Sequence, residues 1–183
     1  MKVLSINGSP RKNSNSQIIA NAVLRGAKTA GAQVSNINLK DLKVNGCISC
    51  MYCRENEGCS QKDDMQKIYK QINDADAVVI NFPIYMFTMN GQTKLMLDRL
   101  FPYLGSDFKP RVNKKTVLCI AQGNSDKEAF KQCIEWSKNV FGFIGFPVRD
   151  VLLGTDGNAP GCFADKKDLL AQAEETGKRL ASK

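Results

Sequence analysis

The chain has no histidine among its 183 residues. The side chain that most often serves as acid, base or metal ligand near neutral pH is therefore missing, and such roles fall to other residue types. No apolar run approaches the roughly 20 residues of a membrane-spanning helix, so no membrane association is expected. Ser5, Asn7 and Ser9 interrupt the opening apolar run at once, unlike a secretory signal, and a cytoplasmic location is expected. Nor is there an internal repeat, low-complexity tract or linker, and residues 1–183 read as a single domain. A G-x-G-x-x-G loop would need two further glycines soon after Gly8, yet none comes before Gly26; G-x-x-x-x-G-K-[ST] is also absent. A dinucleotide or triphosphate cradle is thus not indicated.

The net charge is +8, from 26 basic and 18 acidic residues, which suits anionic small molecules. The cations are scattered rather than gathered into a stripe, and aromatics do not interleave with them. No nucleic-acid partner is expected. Seven cysteines, an odd number, argue against a disulfide framework, yet four of them fall within the thirteen residues 47–59.

Strand-like and helix-like periods alternate along the chain. Lys2–Asn7, Gln33–Leu39, Asp76–Pro83, residues 115–122 and Phe146–Leu153 read as strands; the third, "DAVVINFP", is a continuous buried run ended by proline. Between them, helices are expected over Ser14–Gly31, from Asp63, over Asn90–Phe101 and Asp126–Phe143, and finally over Asp165–Ala181. Asp63 with Gln66 forms a capping-box pattern. Five strands alternating with helices imply an α/β fold with a parallel sheet covered on both faces. Ligands of such sheets sit beyond the carboxyl ends of the strands, where strand order reverses. Function is therefore expected in the loops Gly8–Ser16, Pro83–Asn90 and Gln122–Asp126.

The first of these loops, "NGSPRKNSNS", buries almost nothing. Ser14, Asn15 and Ser16 stand where unpaired N–H groups of a first helical turn attract anions, and Ser9 and Arg11 add a hydroxyl and a planar cation. One phosphate group fits this pattern, as does a plain Ser/Asn helix cap.

Three motifs in order over residues 1–125 resemble the flavodoxin-like NAD(P)H-dependent FMN reductase family. They are "NGSPRKNSNS", then "GCISCMYCRENEGCSQKDDM" at 46–65, which is similar to the loop of its iron–sulfur flavoprotein branch, and "NFPIYMFTMNGQTKLMLDR" at 81–99. The resemblance implies a three-layer sandwich with a five-stranded parallel sheet in the order 2-1-3-4-5 and FMN at the switch point. It further implies that Ser9, Arg11, Asn15 and Ser16 hold the FMN phosphate, and that Pro83, Ile84, Tyr85, Met86 and Phe87 line the ring. Gln122, Gly123 and residues through Asp126 would close the other edge. Asp98 and Arg99 read as a structural ion pair or an interface contact.

Cys47, Cys50, Cys53 and Cys59 follow C-x2-C-x2-C-x5-C, in a loop over 46–62 inserted after the second strand. Three of the four match the spacing of a bacterial ferredoxin motif, but the proline expected after the fourth is absent. Tetrahedral zinc sites more often split into two separated pairs. A [4Fe–4S] cluster and a set of surface cysteines, reduced or disulfide-linked, are both compatible with the pattern. Cys119 and Cys133 fall in a strand and a helix and read as packing residues, and Cys162 has no evident partner.

The resulting expectation is an FMN-dependent oxidoreductase that takes electrons from NAD(P)H, with chemistry on the cofactor and no catalytic side chain. Its acceptor is a small molecule, such as a quinone or flavin, or a ferredoxin-like protein, and its assembly a homodimer or homotetramer. The alternatives are an iron–sulfur flavoprotein electron carrier and a non-catalytic flavodoxin-like binding module.

Overall fold

The computed structural model describes residues 1–182. Its core is a parallel sheet built from β1 (Lys2–Asn7), β2 (Gln33–Asn38), β3 (Ala77–Tyr85), β5 (Lys115–Ala121) and β6 (Val148–Gly154). A two-residue strand, β4 (Thr88–Met89), pairs antiparallel with the end of β3 and was not anticipated. Counted over all six, the path is β2-β1-β3-β5-β6 with β4 beside it. Its five parallel strands run in the expected sequential order 2-1-3-4-5.

Helices α1 (Asn15–Thr29) and α6 (Lys167–Ala181) cover one face, while α3 (Met65–Asp74), α4 (Gly91–Asp98) and α5 (Lys131–Phe143) cover the other. Side chains alternate between the faces along each strand. Val3, Val79 and Val117 therefore pack under α1, and Leu4, Val78 and Leu118 pack under the opposite layer. The strand β3 is buried on both faces, which explains why its run is apolar apart from Asn81. Helices α1 and α6 approach closely at two glycines: a Cβ on Gly26 would collide with the Glu174 carbonyl, and one on Gly177 with that of Val23.

Several bounds differ from those expected. Helix α5 begins at Lys131 rather than near Asp126, because the segment before it is a series of turns; Asp126 accepts from the Glu128 N–H at 2.9 Å. The last strand begins at Val148, since Pro147 brings no N–H to the ladder. A four-residue helix, α2 (Tyr52–Glu55), lies unforeseen within the cysteine loop. Among the described residues no helix is long and apolar enough to cross a membrane.

The strands β1 and β3 lie side by side, with Asn7 opposite Asn81 at their carboxyl ends. From there the chain continues outward in opposite directions, to β2 and to β5. A crevice opens above this divide.

Candidate functional site

The chain leaves β1 at Gly8, where a Cβ would collide with Thr93 Oγ1. The Gly8 N–H donates to the Asn81 carbonyl at 2.8 Å, and its own carbonyl accepts from Asn90 Nδ2 at 2.6 Å. The loop thus departs pinned between the end of β3 and the start of α4. Ser9 N–H donates to Asn7 Oδ1 at 3.1 Å, and Ser14 caps α1 by accepting from the Gln17 N–H at 3.4 Å. Ser9, Ser14, Asn15 and Ser16 are all buried. The first turn of α1 carries no acidic side chain, so its outward N–H groups and dipole are left free to meet an anion.

A second loop, following β6, closes this end. Asn15 Nδ2 donates to the carbonyls of Gly157 at 3.0 Å and Ala159 at 2.8 Å, while its Oδ1 accepts from the Phe163 N–H at 3.3 Å. Arg11 Nη1 donates to the Asn158 carbonyl at 3.0 Å. Asn158 Nδ2 in turn donates to the Gly123 carbonyl at 3.1 Å. This stretch lies outside the three loops where function was expected.

Together these segments enclose a cavity of about 470 Å³, within the usual range for small-molecule sites. Ser9, Arg11, Asn15 and Ser16 form its polar end, Pro83, Ile84 and Tyr85 its apolar wall, and Gln122 and Gly123 its far edge. Ser14 and Asn124 join them from two of the loops where function was expected, and Ala121, Phe130, Gly157, Asn158 and Pro160 complete the lining without having been anticipated. Among the described residues Arg11 is the one charged side chain of the lining, and it gives the polar end a positive charge.

Three anticipated residues are not brought into this lining. Met86 and Phe87 occupy the two turn positions of the β3–β4 hairpin with φ of 45° and 67°, the sign that a two-residue hairpin turn demands. Their side chains are 89% and 76% exposed. Phe87 still buttresses the cavity indirectly, edge-on against Phe130 with ring centroids 5.5 Å apart. Asp126 meets the site through its backbone carbonyl, which accepts from Gln122 Nε2 at 2.6 Å, while Asn124 takes the expected place in the wall.

The residues present suit a flavin mononucleotide. The polar end offers hydroxyls, first-turn N–H groups and one guanidinium to a monophosphate, and the other end offers apolar and aromatic side chains to a flat ring. Gln122 Oε1 is buried without a partner, an acceptor that a ribityl hydroxyl or a ring N–H would satisfy.

The four loop cysteines line a second, smaller cavity of about 50 Å³. All seven cysteines are free thiols. Among the described residues no three histidine, cysteine or acidic side chains converge as ligands of a single ion; the four thiols surround a space rather than a point. Cys50 Sγ lies 3.2 Å from Ser60 Oγ, and that hydrogen bond holds the Cys50 thiol below its ordinary pKa. Burial pushes the Cys53 thiol up, and the three neighbouring cysteines add to the effect. Arg54 clamps the loop by lying over Phe108 and Phe101, 4.3 and 5.1 Å from their centroids.

Arg99 also borders this cavity, and it is only 1% exposed. Its Nη1 donates to Asp63 Oδ2 at 2.8 Å and to the Asn45 carbonyl at 2.9 Å, and its Nη2 to Asp63 Oδ1 at 3.1 Å. Nε is buried with no partner. Burial pushes the Asp63 carboxyl up, but the Arg99 guanidinium and the amides of Asn45 and Met65 outweigh it and hold the pKa below the ordinary carboxylate value. Of the two readings of Asp98 and Arg99, the ion pair between them does not form: Asp98 takes Lys94 at 2.7 Å instead. The capping box also fails to close. Asp63 accepts from the Met65 N–H at 3.1 Å, but Gln66 Nε2 donates to the carbonyls of Cys59 and Gln61.

A doubly covered parallel sheet with a polar loop at its switch point defines a flavodoxin-like protein. The chain belongs to the NADPH-dependent FMN reductase family, whose model matches residues 1–156. It is 30% identical over 186 residues to an iron–sulfur flavoprotein of Methanocaldococcus jannaschii, covering 99% of this chain and 96% of that one. It is 33% identical over 103 residues to an iron–sulfur flavoprotein of Archaeoglobus fulgidus, where the match takes in 56% of this chain and about half, 47%, of the relative. An NAD(P)H:quinone oxidoreductase from Methanothermobacter marburgensis superposes with a TM-score of 0.76 at 19% identity, covering 100% and 97% of the two chains, which shows the shared fold.

Proposed function

We propose that the protein is an FMN-dependent oxidoreductase that takes electrons from NAD(P)H and passes them to a small-molecule acceptor, such as a quinone or flavin, or to a ferredoxin-like protein. The observation that carries this reading is the 470 Å³ cavity, polar and cationic at one end and apolar at the other, with an orphaned Gln122 acceptor in its wall. Bound FMN supplies the electron-transfer chemistry, and the protein supplies binding and orientation. Ser9, Arg11, Asn15 and Ser16 hold the phosphate. Asn15 locks the loop after β6 against the first loop, so the phosphate end is rigid before ligand arrives. Pro83, Ile84, Tyr85 and Phe130 exclude water along the ring, and Gln122 and Gly123 meet its polar edge. No histidine is available, and none is needed, because no proton has to be moved by a side chain for electrons to reach the cofactor.

Met86 and Phe87 leave apolar area exposed on the hairpin beside the cavity. A second copy of the chain covering it gives the homodimer or homotetramer of this reading. Anaerobic addition of NADH or NADPH to FMN-loaded protein tests the proposal: the flavin absorbance should bleach and return when a quinone is added. Persistent flavin colour with either nicotinamide rejects it.

A second reading adds an iron–sulfur cluster, which makes the protein an electron carrier. It is favoured by one observation: Cys47, Cys50, Cys53 and Cys59 line a single small cavity. The donor set suits a group that takes thiolates at its corners, and these four residues would hold it. Iron and sulfide assays on anaerobically purified protein decide this reading.

A further inference from the structure

We infer that Arg99 tunes an anionic iron–sulfur group held by Cys47, Cys50, Cys53 and Cys59, donating its unpaired Nε–H toward that cavity and raising the group's reduction potential with its buried charge. The inference rests on the four-cysteine reading above.

Three observations converge on it. Among the described residues Arg99 is the only cation bordering the cysteine cavity, and it is 1% exposed. Its terminal nitrogens are consumed by Asp63 and the Asn45 carbonyl, yet Nε remains buried with no acceptor. Buried N–H groups without partners are rare and costly in folded proteins, so this donor marks a place where an acceptor belongs. Most of the side chains facing the cavity that could accept are sulfurs.

The placement of charge is asymmetric. Asp63, which neutralises Arg99 overall, does not line the cavity, and Asp98, which does, is engaged by Lys94 at 2.7 Å. A group in the cavity therefore meets the positive end of the Arg99–Asp63 pair first. Reduction adds one electron to that group, breaks no bond to Arg99 and moves no proton from it. A neighbouring cation and hydrogen bonds to sulfur both favour the added negative charge. A purely structural ion pair has no reason to leave one position of the guanidinium without an acceptor in a residue that borders four thiols.

The test uses the full chain, reconstituted anaerobically with ferrous iron and sulfide. Iron per chain is measured, and a dithionite titration followed by electron paramagnetic resonance gives the midpoint potential. The parent should hold about four irons, as a [4Fe–4S] group requires. Arg99→Gln should lower the midpoint by about 59 mV or more, a tenfold shift for a one-electron couple. Asp63→Asn, which breaks the same ion pair but removes the negative partner, should raise it. Opposite signs separate charge from structural damage, since damage would move both variants alike. If Arg99→Gln does not fold, the upward shift in Asp63→Asn is still required. An unchanged midpoint in either folded variant overturns the inference, as do shifts of the same sign in both. A parent that binds FMN but holds less than one iron per chain also overturns it, together with the cluster reading, and leaves the flavin reading intact.

Discussion

Replacing Arg11 by alanine removes a cation from the lining of the 470 Å³ cavity while sparing the core. The guanidinium is exposed and fixed by one hydrogen bond, from Nη1 to the Asn158 carbonyl at 3.0 Å, so its remaining N–H groups are free to meet a phosphate. A hydrogen bond to a charged group contributes about 1.5–3 kcal/mol. Solvent access places Arg11 near the lower end, so Arg11→Ala should weaken FMN by about tenfold in Kd. Losing the tether to Asn158 should cost no more than about 1 kcal/mol of unfolding stability. Quenching of flavin fluorescence during titration with apoprotein measures Kd directly, and urea unfolding reads the stability. Because the interaction is partly solvent-exposed, the gap between parent and variant should narrow at 1 M salt, where the screening length falls to about 3 Å. A variant whose Kd stays within twofold of the parent at low salt refutes the assigned role. A gap indifferent to salt refutes the electrostatic part of the reasoning.

Asn15→Asp sets a carboxylate against the Gly157 and Ala159 carbonyls that the amide now donates to, so it should destabilise the fold by at least about 2 kcal/mol; an unchanged urea midpoint contradicts the two-loop lock. Gly26→Ala forces α1 from α6 at a backbone contact that cannot give, costing about 1–3 kcal/mol with FMN affinity unchanged, as a thermal melt and a flavin titration would show. The Asp63 carboxyl has a folded pKa below its unfolded value, so its contribution is complete above the ordinary carboxylate value of about 3.9. That contribution is lost as pH falls through the lower folded value. Asp63→Asn should therefore lose stability at neutral pH and show a flatter acid limb in urea midpoints measured between about pH 6 and 2.

The sheet was legible because its strands announce themselves: β3 is a buried run in which Asn81 is the one polar residue, and helical periods separate the five parallel strands. The polar loop was legible for the opposite reason, since it carries nothing that a core could use. The hairpin tip was not. Met86 and Phe87 sit at positive φ where glycine or asparagine is usual, so the turn left no local signal and both residues read as cavity lining. The wall from Gly157 to Pro160 escaped notice because it joins the site through backbone carbonyls, which any sequence supplies. Phe130 fell within a helix expected from Asp126, and that helix in fact starts one residue after it. Arg99 was noticed in the sequence, but its partner lies 36 positions away rather than next door. Local spacing carries no trace of such a pairing.

The central claim is that the bend after β1 grips one phosphate. Titrating apoprotein with FMN and with riboflavin, which shares the ring and ribityl chain but lacks the phosphate, tests it most directly. Several hydrogen bonds to a dianion should make FMN bind at least about a hundredfold tighter, near 2.7 kcal/mol. Equal affinities for the two flavins would contradict the account.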